Sequence, residues 1–82
     1  MWAVVCVSAC DLAVLDVRLF DGFGKAARFM RKNAETVYKE LLQLVRDTEN
    51  VSLHCDNGHA ELITNGSLQC FWDMISVVDN CD

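Results

Sequence analysis

The dipeptide Asn57-Gly58, inside VSLHCDNGHAELI (residues 51–63), constrains this chain more than any other feature. Asn-Gly between two apolar-alternating runs is a strong signal for a two-residue hairpin loop, because both positions tolerate positive φ. Placing the loop there fixes the register of two antiparallel strands. Cys55 then faces Ala60, His54 faces Glu61, Leu53 faces Leu62 and Val51 faces Thr64, with Asp56 opposite His59 beside the loop. One face reads Val51, Leu53, Cys55, Ala60 and Leu62. The other reads Ser52, His54, Asp56, His59, Glu61 and Ile63.

The same register bears on whether the crowd of His54, Cys55, Asp56, His59 and Glu61 is a metal site. Cys55 turns away from both histidines, so the crowd divides into a core thiol and two cross-strand acid–histidine pairs. The five cysteines, Cys6, Cys10, Cys55, Cys70 and Cys81, include no CxxC pair of the kind that holds structural zinc. Their odd number speaks against a closed disulfide framework. The expectation is reduced thiols in a cytoplasmic setting, with no metal and no cofactor.

The rest of the chain reads as a small α+β domain, one unit over residues 1–82. Residues 2 to 9, WAVVCVSA, form an apolar, valine-rich run of strand length. The first basic residue is Arg18 and Asp11 interrupts the apolar run, so a buried strand is expected here and not a signal peptide. The nine residues from Trp2 to Cys10 are too few to span a bilayer, and no membrane insertion is expected. Residues 12 to 20 read as a weaker strand or a strand with a bend, placing Asp16 and Arg18 on one face and Val17 and Leu19 on the other. DGFG (21–24) is a turn.

From about residue 24 to 47 the period changes. Ala27, Met30, Ala34, Val37, Leu41, Leu44 and Thr48 recur every three or four residues, the apolar stripe of an amphipathic helix. Asn33 marks a kink or a restart, because Asn caps helices well and is a poor interior residue, so the segment is one helix or two. After the hairpin, TNGS (64–67) reads as a turn with Ser67 as a helix cap. Residues 68 to 78 then read as a short C-terminal helix, with Leu68, Phe71, Trp72, Ile75 and Val78 on one face. The expected fold is a small, mostly antiparallel sheet with one long helix and that short helix on one face.

No catalytic pattern stands out. GxSxG, the Walker glycines and GxGxxG are absent, and no spacing unites a cysteine with a histidine. An enzyme is therefore not expected. Charge is more informative. The net charge is −5, yet six of the seven Lys and Arg residues fall between 25 and 46, against only Glu35 and Glu40. Residues 47 to 82 hold seven acids and no Lys or Arg. Lys25, Arg28, Arg31, Lys32, Lys39 and Arg46 are the candidate nucleic-acid-binding residues, most of them along one helix flank. Such a flank grips phosphates or an acidic partner surface, or is an ordinary solvated helix face laced with neighbouring acids, since an acidic chain repels polyanions as a whole. Phe23 and Phe29 lie near its basic end, where a base could stack.

The C-terminal half has a distinctive cadence: LLQLVRDTEN closing a helix, then VSLHC, HAELI, the turn TNGSL and QCFWDMISVV read as a helix. This resembles the C-terminal part of the SARS-unique domain of betacoronavirus non-structural protein three, the domain preceding the ubiquitin-like domain and papain-like protease. The start, AVVCVSACDLAV, looks like the strand that closes the preceding macrodomain-like unit. The likeness covers residues 3 to 14 and about 41 to 78, whereas residues 21 to 40 depart from it. It implies a frataxin-like sandwich without catalytic residues in a viral replicase polyprotein. It also implies a role in RNA binding or in contacts with neighbouring replicase domains or a host protein, on the cytosolic face of infected-cell membranes. The leading expectation is thus a non-catalytic interaction module touching single-stranded RNA. The alternative is an acidic adaptor or inhibitor that captures a basic partner surface.

Overall fold

A computed structural model of the chain describes residues 1–45 and 50–77. It is an α+β fold in two layers, a five-stranded antiparallel sheet with a long helix on one face. The strands are β1 (Trp2–Ser8), β2 (Val14–Phe20), β3 (Val51–Cys55), β4 (His59–Thr64) and β5 (Ser67–Ser76). Their order is β2-β1-β5-β4-β3. The helix, α1 (Phe23–Leu44), links β2 to the β3–β4 hairpin.

The sheet grows from three tight connections. In the first, Asp11 Oδ1 accepts the Ala13 N–H and Leu12 takes a positive φ of 56°, turning the chain from β1 into β2. The β1–β2 ladder then shifts register between Cys6 and Val7, leaving Leu15 as the extra residue of a bulge. Of the two readings of residues 12 to 20, this is the strand with a bend. In the second, the β3–β4 register is the one Asn57-Gly58 dictates, from Val51↔Thr64 to Cys55↔Ala60. The third is Asn65-Gly66, where both residues have positive φ (52° and 77°) between the paired Thr64 and Ser67. That is the geometry of a tight, primed hairpin turn.

The expected C-terminal helix is therefore corrected: residues 67–76 are strand β5, the centre of the sheet. Its apolar residues fit a helical period, but the pleat sorts them differently. Cys70, Trp72 and Met74 face the helix, while Phe71, Asp73 and Ile75 face the other way. Pairing with β1 on one side and β4 on the other satisfies a ten-residue backbone that a short helix leaves half capped. Val78 lies outside the described residues.

The helix is continuous through Asn33. Its buried line is Ala26, Met30 and Ala34, with Val37 and Leu41 packed beside it. Ala26 takes the place expected of Ala27, and Leu44 is 82% exposed and leaves the stripe. Thr48 lies outside the described residues. Alanines on both sides of Met30 and at Ala60 of β4 let the helix sit close over the sheet. Trp72, fully buried, fills the middle together with Val4, Cys6, Val51, Leu62 and Cys70.

Candidate functional site

The basic end of α1 and the tip of the β3–β4 hairpin enclose a shallow groove of about 440 Å³. Arg28, Arg31 and Lys32 line it, with Gly24, Ala27, Glu35 and Asn57. The helix places them. Met30 and Ala34 must face the sheet, so Arg28 and Lys32, one turn apart, stand on the outward side. Arg31 turns toward the hairpin, close enough for its charge to pull the Cys55 thiol down against the stronger upward push of burial.

Electrostatically the groove favours an anion. Among the described residues Arg28, Arg31 and Lys32 make no ion pair, and Glu35 is the one acid in its lining. The helix starts at its edge with no acid in its first turn and no side-chain cap. Asp21, one residue before the cap, is already paired with Lys25, so the partial positive charge of the helix start is only partly offset. On the far side of Lys32 a second hollow is lined by Phe29, Lys32, Asn33 and Thr36. Half-buried Phe29 packs on Phe20 at 5.1 Å between ring centres and lies under the Arg18 guanidinium at 6.0 Å. Phe23 instead packs edge-on against Trp2.

Not every expected residue joins the groove. Lys25 pairs with Asp21 at 3.1 Å, and that hydrogen bond and charge hold the Asp21 carboxyl below its usual range. Lys39 lies two turns beyond Lys32 on the outward side and does not line the groove. Arg46 lies outside the described residues. Sequence reasoning missed Asn57, whose approach to the helix is tertiary and leaves no mark in spacing.

The opposite face of the sheet carries a different cluster. His59 Nδ1 meets Asp73 Oδ1 at 2.5 Å and its Nε2 meets Glu61 Oε1 at 2.8 Å. A neutral imidazole has a single N–H, so two carboxylate partners call for the doubly protonated ring. The Asp73 hydrogen bond, more than the Glu61 one, pushes the His59 pKa up, against a smaller loss from burial. The expected Asp56–His59 pair gives way to these contacts: Asp56 donates its backbone N–H to the His59 carbonyl. His54 pairs in register with Glu61 and is exposed.

With both ring nitrogens occupied, His59 is a poor general base or ligand. Among the described residues no three His, Cys, Asp or Glu side chains are arranged to hold a metal ion. The sheet also separates histidine from thiol: Cys6 and Cys70 belong to the core under the helix, and His59 sits on the open face. Around the His59 cluster that face is apolar, with Val17, Leu19 and Ile75 each about half exposed (52%, 59% and 51%). Among the described residues no helix is long and apolar enough to cross a membrane.

No family model, no curated protein and no solved structure matches the chain.

Proposed function

We propose that the chain is a non-catalytic interaction module whose helix face binds a polyanion, with single-stranded RNA as the ligand class. The observation that carries this is the convergence of Arg28, Arg31 and Lys32 on one groove with no ion pair among the described residues. Glu61 and Asp73, by contrast, lie across the sheet and are tied to His59. A chain of net charge −5 can thus present a locally positive surface. Phe29 borders Lys32, but its ring already packs on Phe20 and lies under Arg18, so the reading rests on charge and not on base stacking. The likeness to the coronavirus module adds a replicase polyprotein and the cytosolic side of a membrane as the setting. Its cadence ends in a helix where this chain has β5, so the groove, not the likeness, is the ground of this reading.

The test is fluorescence anisotropy with a short single-stranded RNA across a salt series. Each phosphate neutralised contributes a slope of about −0.7 in log K against log salt. Arg28→Ala, Arg31→Ala and Lys32→Ala should each weaken binding alike across RNA sequences and flatten that slope. A triple variant that binds like the parent overturns the proposal.

A second reading, the acidic adaptor, is favoured by the His59–Asp73–Glu61 cluster on the open face. It predicts that a basic peptide binds there, and that Glu61→Gln with Asp73→Asn abolishes the binding.

A further inference from the structure

Strand β2 ends the sheet, and among the described residues nothing pairs with its outer edge. A free edge is a template for another strand, and β2 offers a regular one from Asp16 to Phe20, beyond the bulge at Leu15. Backbone alternation shows which groups it offers. The Ser8 N–H donates to Ala13 and the Ala9 N–H to Gln69, so even-numbered residues of β1 turn toward β2 and odd ones toward β5. Asp16 and Arg18, the partners of Cys6 and Val4, therefore spend their backbone groups on β1. Val17 and Leu19 point theirs outward.

The side chains along this edge are self-complementary. Residues 15–19 read Leu-Asp-Val-Arg-Leu. Let a second copy pair antiparallel about a two-fold axis at Val17. Val17 then faces its own copy, Asp16 faces Arg18 and Arg18 faces Asp16, while each Leu19 meets the bulged Leu15 where the regular ladder ends. Val17 is a hydrogen-bonded position, so the Asp16–Arg18 pairs occupy the closer, non-hydrogen-bonded positions, where side chains interact most. Within one chain Asp16 and Arg18 already touch at 3.3 Å on one face of the strand. A second copy completes a square of alternating charges. The other edge, β3, has no such pattern: an axis at Leu53 sets Ser52 against His54.

We propose that the chain forms a two-fold homodimer by antiparallel pairing of β2 with β2 of a second copy, with Val17 on the axis. The result is a ten-stranded sheet. Both helices lie on one side of it, so the two basic grooves face the same way. On the other side, the apolar strips of Val17 and Leu19 merge into one surface. The pairing rests on the β2 edge alone and is independent of what the groove binds.

Sedimentation of the full chain at about 0.1 mM, well above a micromolar dissociation constant, should give a dimer. Asp16→Arg and Arg18→Asp should each weaken it roughly a hundredfold, leaving either variant alone mainly monomeric at about 10 μM, since each reversal turns two cross-strand attractions into repulsions. A one-to-one mixture of the two variants should dimerise again, because every Arg then faces an Asp across the axis. A role confined to one chain is not restored by mixing. Hydrogen exchange of the unsubstituted chain provides a readout free of folding defects: the Val17 and Leu19 amides should gain protection as concentration rises. An unsubstituted chain that is monomeric at about 0.1 mM, a mixture of folded variants that stays monomeric, or a dimer that leaves those two amides exchanging freely would overturn the proposal. The last result would assign the contact to stacking of the open faces.

Discussion

Trp72 donates its indole N–H to Asn33 Oδ1 at 2.9 Å, joining the central strand to the middle of the helix. Trp72 is fully buried, and a buried N–H without a partner costs about 1–3 kcal/mol. Asn33 supplies the partner, which explains a poor interior residue in the middle of an unbroken helix. Asn33→Ala should therefore destabilise the fold by about 1–2 kcal/mol, after a small gain in helix propensity offsets part of the loss. Trp72→Ala should cost more, about 3–5 kcal/mol. Urea unfolding followed by circular dichroism measures both, and an Asn33→Ala variant as stable as the parent refutes the link.

The two Asn-Gly turns should respond differently to one substitution. Gly66 sits at φ 77°, where an L side chain is strained by roughly 1–2 kcal/mol. Gly58 is not among the positive-φ positions, and a Cβ there meets nothing within 4 Å. Gly66→Ala should lower stability by that amount, whereas Gly58→Ala should change it by less than about 0.5 kcal/mol. Equal losses in denaturant titrations count against the assigned turn geometries.

The His59 cluster gives the fold a signed pH dependence. The folded-state pKa of His59 is raised above its usual 6.5, chiefly by Asp73 and then Glu61. Stabilisation from this group is present in full below that usual value and is lost as pH rises through the elevated one. The melting temperature should therefore fall from about pH 6 to about pH 8, by a modest amount because the cluster is partly solvated. His59→Gln should flatten the profile. A wild-type melting temperature that rises over this interval contradicts the arrangement.

The thiols should react in a set order. Burial, then the neighbouring Cys70, pushes the Cys6 thiol up to about 12, and burial raises Cys70 as well. Cys10 is exposed, and Cys55 is half-buried with its thiol raised by burial. Thiolate is the reactive form. In a Cys81→Ser background, a thiol-reactive disulfide reagent should label Cys10 at once and Cys55 more slowly. Cys6 and Cys70 should follow only on unfolding. Four fast thiols in folded protein contradict the core.

Much of this fold was legible where a local signal and a period agreed. Asn57-Gly58 set the β3–β4 pairing residue for residue, although the turn does without the positive φ that recommended it. Asp16 and Arg18 share a face as alternation requires. Strand β5 was misread because Leu68, Phe71, Trp72 and Ile75 also fit a helix, and Ser67 looked like its cap. The neighbouring Asn65-Gly66 carried the same hairpin signal as Asn57-Gly58, and it decided the matter. In the groove, the helix period placed Arg28 and Lys32 on the outward side. The pairing of Lys25 with Asp21 and the approach of Asn57 depend on how the chain folds back, which no spacing records.

The most direct test of the polyanion-binding groove is an amide NMR titration with short single-stranded RNA at low and moderate salt. The account predicts shifts centred on Gly24, Arg28, Arg31, Lys32 and Asn57 that shrink as salt rises. Shifts confined to the open face around His59 and Asp73, or none at low salt, would contradict it.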